Sequence, residues 1–585
     1  MLKRTICWLL TLIMLFVFIS CTSKTQTGNE KKTETSTDNP FEEFMTITWL
    51  VGAYTNHLLE EGRWDELELE EKFNVNIQPW KVRIDSAQME QVHMMLAAGD
   101  VPDYGHYYTS GLYLYENGMG RTVPLDMIKQ YYTGYYKLLL NDPAGFTFNL
   151  VEGKDDEFYG LAMYNAFSHY SGWVPMWRLD WLEALGYKLD NLEVMISPIN
   201  PDRWNDRLYF STTKFTINQV KDILKGFTEN DPDGNGIDDT YGSAFANSAY
   251  DNYISYNMFG FDRNSSLMYK DPTTNDFVPY FAYTYYKDSL MFLTEMINLG
   301  YLRNVPGKEE YWLELRETWN SAKTGFMNTL GPPRVLGLGY SDGDSWPPAA
   351  ILNDVDPNAK FVITPCAGEN GAYRPHSTFN WSTMMYCIGD VSDEKLERLF
   401  RLLDYSYFSD NWIRYKWGIE GVHYKWYGEP FKSAVVFTDP ANIPLKYKGS
   451  IDEFGHFGNM NFITDVRITF NFDAFFVQWI DYWERYSSDG WFGDEIWLRP
   501  DKLYSAQTMP IEKFNEFKAL REQTINDISA VHNDFTKRVW AGQIADINAE
   551  WSQYITQIYA AGLDKWVKIW NDDEVKSYKY YNSLK

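Results

Sequence analysis

The sequence predicts an α/β protein of more than one domain, with largely parallel sheets. Three observations predict this. Strand and helix patterns alternate from residue 45 onward, the chain has 585 residues, and 45% of them are hydrophobic. Alternating strands and helices give a parallel sheet covered by helices. A chain this long holds roughly two to four domains.

The first segment is an address. Lys3 and Arg4 precede an apolar stretch over 5–19, which ends in Ile19-Ser20-Cys21. The stretch has signal-peptide length and is short for a membrane span. A small residue before Cys at this point is similar to a bacterial lipobox. Residues 1–20 are therefore expected to be a signal peptide, with Cys21 acylated. An uncleaved anchor with an incidental Cys is the alternative. Residues 21–44 are rich in Thr, Ser, Lys and Glu, the composition of a flexible tether.

The globular elements follow in order. Met45 to Val51 reads as a buried strand ending at Gly52, with a helix over 56–72. A second strand lies at 74–77, a helix at 88–98 stops at Gly99, and a third strand runs over 104–108. Ligands in such sheets sit at the carboxyl ends of the strands. That points to 52–56 and 103–110. A second unit opens at Trp173 and runs into a helix over 179–185 closed by Gly186. Thr216 and Gln219 form a capping box for a helix whose face is Ile217, Val220, Ile223, Leu224 and Phe227. Trp551, Tyr554, Ile555 and Ile558, and then Leu563, Trp566, Val567 and Trp570, are helical stripes of core type around Gly562.

Charge excludes some partners. The formal net charge is -27, with 53 basic and 80 acidic residues. No nucleic-acid partner is expected, because phosphate binding needs clustered Lys and Arg. Aromatic residues reach 17%, with 23 Trp and 43 Tyr. Most must be core. Their flat faces also match the C–H faces of sugar rings, so composition leans toward carbohydrate. Cys366 and Cys387 form either a disulfide or two buried thiols; no CxxC spacing marks a zinc site.

Asp231-Pro232-Asp233-Gly234-Asn235-Gly236-Ile237-Asp238-Asp239 places oxygen donors at loop positions 1, 3, 5 and 9 and Gly at 6. This matches the start of an EF-hand Ca2+ loop, in which Gly236 permits the turn and Ile237 offers its carbonyl. Position 12 is Gly242 instead of Glu, so the match is half an EF-hand. A structural calcium ion is expected. A metal-free Asp/Gly/Asn turn is the alternative.

Four segments together resemble the extracellular solute-binding proteins of family 1, especially the long lipoprotein branch that includes alginate-oligosaccharide binders. They are Ala97-Ala98-Gly99-Asp100-Val101-Pro102-Asp103, Trp177-Arg178-Leu179-Asp180-Trp181-Leu182-Glu183-Ala184-Leu185-Gly186, the acidic loop running into Thr240-Tyr241-Gly242, and Gly418-Ile419-Glu420-Gly421-Val422-His423-Tyr424. The resemblance spans about residues 45 to 570. It implies a type II periplasmic-binding-protein fold, two α/β lobes with a ligand cleft between them. Lobe 1 is expected at 45–163 and 380–430, and lobe 2 at 164–379 and 431–585 with the C-terminal helices. It implies calcium on Asp231, Asp233, Asn235, Ile237 and Asp239, with Thr240 where the branch has a further acidic ligand.

The implied role is a binding protein, lipid-anchored on the extracytoplasmic side, that delivers a carbohydrate ligand to the permease of an ABC importer. Candidate ligand contacts are Tyr54, Asn56, Asp103, Tyr107, Tyr108, Tyr164, Asn165, Trp173, Arg334 and Trp381. Glu420 and His423 are candidates for ligand binding or for holding a hinge loop. No catalytic residue is nominated. The rival reading is a secreted glycosidase or lyase, which needs two carboxylates about 5–10 Å apart across a cleft. A peptide-binding or sensor protein of the same fold is a third reading. No phosphate-binding Gly-x-x-x-x-Gly-Lys loop is present, so ATP hydrolysis is left to a partner.

Overall fold

The computed structural model describes residues 41–50, 62–80, 90–105, 111–141, 145–146, 149–151, 154–164, 173–195, 206–246, 253–263, 267–305, 311–330, 346–372, 381–426, 428–430, 435–447, 502–503 and 510–577. The expected signal peptide, Cys21 and nearly all of the expected tether lie outside them.

Two sheets organise the chain. Their strands, in chain order, are β1 (Met45–Leu50), β2 (Val75–Trp80), β3 (Tyr104–Gly105), β4 (Leu161–Tyr164), β5 (Trp173–Arg178), β6 (Glu193–Val194), β7 (Leu208–Phe210), β8 (Tyr241–Ala246), β9 (Leu302–Val305), β10 (Thr324–Leu330), β11 (Phe361–Ile363) and β12 (Trp381–Ile388). The first sheet has the order β2-β1-β3-β12-β4. The second has the order β9-β8-β10-β5-β11-β7-β6.

In the first sheet β1 runs parallel to β2 and β3, and β12 runs antiparallel to both β3 and β4. Alternation sets the faces. Ile47 and Trp49 of β1, and Val75 and Ile77 of β2, are buried, while Thr46, Asn76 and Gln78 are exposed. Helix Trp64–Phe73 joins the two strands and buries Leu69 and Phe73 against them. Helix Asp393–Phe408 adds Leu396, Leu399, Phe400 and Leu403 to the same core. Its Arg398 donates to the carbonyls of Phe73 and Glu43, pinning the entry of the chain.

In the second sheet β8, β9 and β10 are parallel, β5 is antiparallel to β10 and β11, and β7 is parallel to β11. Helix Ile217–Glu229 begins with the capping box of Thr216 and Gln219, both of whose hydrogen bonds form. Its buried stripe, Val220, Ile223, Leu224 and Phe227, packs on the sheet. A Cβ on Gly325 of β10 would lie 2.0 Å from the Phe227 ring, so only glycine fits there. Helices Ile511–Trp540, Ile547–Ile558 and Asp564–Trp570 join this core through Phe517, Phe535, Tyr554, Trp566 and Trp570. At Gly562 the backbone takes φ 116°, and the helix direction breaks there.

Of the two alternatives for Cys366 and Cys387, the structure has the buried thiols, and one segment changes side. Cys366 is buried in the second core and Cys387 lies in β12 of the first sheet; both are free thiols, so there is no disulfide between them. The segment 435–447, expected with lobe 2, stays with the first sheet's side. Val435–Phe437 pairs with Tyr424–Trp426, and Tyr447 packs edge-on to Trp64.

Candidate functional site

The strand directions place the site. Leu50, Trp80, Gly105 and Tyr164 end strands at one edge of the first sheet, and Trp381 begins β12 at that same edge. In the second sheet Ala246, Val305, Leu330, Ile363 and Phe210 end strands at the edge where Trp173 begins β5. The chain passes from Tyr164 to Trp173 and returns from Ala372 to Trp381. Both passes run from one carboxyl edge to the other. Residues 165–172 and 373–380 are each too short to span more than about 30 Å. The carboxyl edges of the two sheets are thus tied together by two short connections.

The sequence-predicted contacts distribute unevenly. Tyr54, Asn56, Tyr107, Tyr108, Asn165 and Arg334 lie outside the described residues. Trp173 has its backbone paired with Leu330 at the carboxyl edge. Tyr164 ends β4 and is nearly buried, its ring edge-on to Trp381 at 4.8 Å between centroids.

Trp381 is a correction. It is 1% exposed and packs against Tyr135, while Gly145 leaves room for its indole. It offers no open face for a sugar ring. Asp103 is a second correction. It precedes β3, and its carboxylate accepts from the Thr48 amide at 2.7 Å and pairs with Lys395. Its amide donates to the Thr48 hydroxyl at 2.8 Å. Asp103 therefore staples β1, β3 and helix Asp393–Phe408 together.

His423 holds a loop. Its Nδ1 accepts from the Ile419 amide at 2.8 Å, so Nε2 carries the proton donated to the Tyr447 carbonyl at 3.0 Å. Its ring stacks on Trp64 at 5.4 Å. Gly418 is required beside it, because a Cβ there would lie 2.4 Å from His423 Nδ1. Burial pushes the His423 pKa down and keeps the ring neutral. Glu420 is exposed in the same turn, bridged to Tyr424 through the backbone.

Sequence reasoning missed the other half of this group. Trp64 lies under the Arg414 guanidinium at 4.9 Å, and Arg414 is bidentate to Glu68. Beside them, burial raises the Glu66 carboxyl to about 7. Trp64 to Glu68 reads as an ordinary amphipathic helix start. Their meeting with His423 depends on contacts far apart in the chain, for which no local signal exists.

Arg178 and Asp180 of the Trp-Arg-Leu-Asp-Trp motif are structural. Arg178 is 2% exposed and donates to both carboxylate oxygens of Asp180, at 2.9 and 2.6 Å, and to Asp356 at 2.9 Å. Its guanidinium lies 4.6 Å from the Trp181 ring.

The acidic loop closes on itself. Asp231 accepts from the amides of Asn235 and Gly236, Asp233 accepts from the Asn235 side chain, and Asn235 accepts from the Ile237 amide. Gly234 and Gly236 have positive φ, as the turn demands. Crowding and burial raise the Asp233 carboxyl, with burial the larger cause. Lys323 pairs with Asp239 and holds its carboxyl below the usual range. The other oxygen of Asp239 is buried without a hydrogen-bond partner. Among the described residues no three acidic, imidazole or thiolate groups converge as metal ligands. The carboxylates are turned instead toward backbone amides, the Asn235 side chain and Lys323. Thr240 departs from the expected ligand set: its buried hydroxyl donates to the Phe227 carbonyl at 2.8 Å, closing the preceding helix.

No family model matches the chain. Among curated proteins it is similar to the polygalacturonan/rhamnogalacturonan-binding protein YtcQ of Bacillus subtilis, at 25% identity over 224 residues. That match covers 38% of this chain and spans 41% of the relative's length. Solved structures align over nearly the whole chain. The S. pneumoniae ABC-transporter substrate-binding protein FusA in complex with kestose aligns at TM-score 0.58 and 16% identity, over 92% of this chain and 100% of that one. A solute-binding protein of Bifidobacterium longum infantis, described as HMO-binding and ABC-transporter-associated, aligns at 0.59 and 14%, over 90% and 98%. The alginate-binding protein AlgQ2 without calcium ion aligns at 0.52 and 18%, over 91% and 97%.

The fold is that of the substrate-binding proteins of ABC transporters. It is a type II periplasmic-binding-protein fold, two α/β lobes with a ligand cleft between them. No described helix is long and apolar enough to cross a membrane.

Proposed function

We propose that the chain is an extracytoplasmic binding protein of solute-binding family 1, anchored by a lipid on Cys21, that delivers a carbohydrate to an ABC importer. The observation that carries this reading is the pair of crossings, Tyr164 to Trp173 and Ala372 to Trp381, joining the carboxyl edges of two sheets. Two short connections between lobes would act as a hinge, and a ligand touching both lobes favours closure by its differential affinity. The similarity to a polygalacturonan/rhamnogalacturonan-binding protein supports an oligosaccharide as the ligand, with oligogalacturonides the first to test.

In this reading Tyr54, Asn56, Tyr107, Tyr108, Asn165, Trp173 and Arg334 supply stacking faces and hydrogen bonds, and the permease receives the closed form. Calcium, when bound by Asp231, Asp233, Asn235, the Ile237 carbonyl and Asp239, cross-links the loop after helix Ile217–Glu229. The role is binding without bond cleavage. Thermal melts of the chain with oligogalacturonides, kestose and peptides, with product analysis by chromatography, test it. A saturating ligand at about 100 times its Kd stabilises by about 2.7 kcal/mol. Stabilisation by an oligosaccharide that is recovered intact supports the reading; turnover, or stabilisation by peptides alone, overturns it.

A further inference from the structure

Asn257 opens the short turn Asn257–Phe259 at the carboxyl edge of the second sheet. It is 0% exposed. Neither its Oδ1 nor its Nδ2 has a hydrogen-bond partner among the described residues. A buried carboxamide with both ends unsatisfied is costly, because water is lost and nothing replaces it. The Asn257 carbonyl already accepts from the amides of Gly260 and Ala372. Gly260 and Gly368, both at positive φ, let the loop 364–372 close down on this turn: a Cβ on Gly368 would lie 2.1 Å from the Met258 carbonyl oxygen, and one on Gly260 would lie 2.8 Å from that of Asn370.

Position adds a second constraint. Ala372, bonded to Asn257, is the last described residue before the crossing back to Trp381. Tyr253, four residues earlier, donates its amide to Asn328 near the carboxyl end of β10. Asn257 thus lies beside Ala372, from which the chain returns to the first sheet.

We infer that the Asn257 carboxamide is a receptor for one O–H group, which donates to Oδ1 and accepts from Nδ2. Only a group that is donor and acceptor at once satisfies both atoms from one point, and a hydroxyl is the smallest such group. Its source is either an internal water or a hydroxyl of the bound sugar. The second source rests on the carbohydrate-binding reading; the first does not.

The test is a pair of crystal structures of the native chain, ligand-free and with the oligogalacturonide or kestose that stabilises it most. Alongside these, melts and titrations compare the native chain with the near-isosteric Asn257→Leu. An oxygen within about 3.2 Å of both side-chain atoms is expected. If it is water in both forms, N257L lowers Tm without ligand and leaves sugar affinity unchanged. If it is a sugar hydroxyl, N257L weakens binding about tenfold and does not lower the ligand-free Tm. No oxygen in either form, with N257L more stable than the native chain and equal to it in affinity, overturns the assignment. Should no sugar bind the native chain, the carbohydrate reading fails by itself, and the ligand-free structure alone decides whether Asn257 holds water.

Discussion

Tyr164 stands edge-on to Trp381, with ring centroids 4.8 Å apart and planes at 67°. The two are paired across β4 and β12 at the point where the chain leaves for the second lobe and where it comes back. An edge-to-face pair of this kind adds about 0.5–1.5 kcal/mol beyond its buried area. Here it fixes the roots of both crossings relative to each other.

Trp381→Ala is therefore expected to destabilise the first lobe by about 3–5 kcal/mol, through the cavity left against Tyr135 and Gly145. Urea unfolding measures this. A normal midpoint with lost sugar binding would instead restore Trp381 as a stacking platform.

His532 predicts an acid-sensitive C-terminal layer. Its Nδ1 lies 3.0 Å from the Tyr554 hydroxyl, which donates onward to the Phe281 carbonyl. Burial first, and Arg263 second, push His532 down to about 3. Because the folded value is below the ordinary 6.5, its stabilising contribution is complete above about pH 6.5. It is lost as pH falls from there toward 3, at up to about 1.4 kcal/mol per pH unit. Melts from pH 7.5 to 4.5 should show a steeper decline for the native chain than for H532Q; parallel curves would remove His532 as the cause.

Glu66 has the opposite sign. Burial raises it to about 7 against an ordinary value of 4.5, so its contribution is full below about 4.5 and lost as pH rises through 7. E66Q should melt above the native chain at pH 8 and converge with it near pH 4.5. Equal melting at pH 8 would show that Glu66 carries no such penalty.

Arg178→Met removes a guanidinium shared by Asp180 and Asp356 and leaves two carboxylates together. Both carboxylates are partly exposed, which limits the loss to about 3 kcal/mol. Chemical unfolding reads this directly, and D356N should recover part of it.

Lys323 pairs with Asp239, so calcium binding in the proposed loop site would have to displace it. Tm is expected to rise with about 1 mM calcium and to fall with chelator. D231A should abolish the response, and K323M should raise the apparent affinity. Calorimetric titration with no heat from either the native chain or K323M would leave the loop as a plain turn.

Much of the scaffold was readable in the chain. The strands at 45–50 and 75–80, the Thr216 capping box, and the break at Gly562 all rest on local patterns of alternation, caps and glycine. What was not readable depends on distant partners. Trp381 has the composition of a sugar platform, and only Gly145 and Tyr135 closing over it make it core. Asp103 lies in a family motif, yet Lys395 and Thr48 determine its role. Asn257 has no motif, and its interest lies wholly in being buried.

Two lobes that hinge shut around an intact oligosaccharide become more compact. Small-angle X-ray scattering with a saturating oligogalacturonide measures this most directly. A smaller radius of gyration, with the sugar recovered unchanged, is the expected result. Saturation with no change in radius, or cleavage of the sugar, would contradict it.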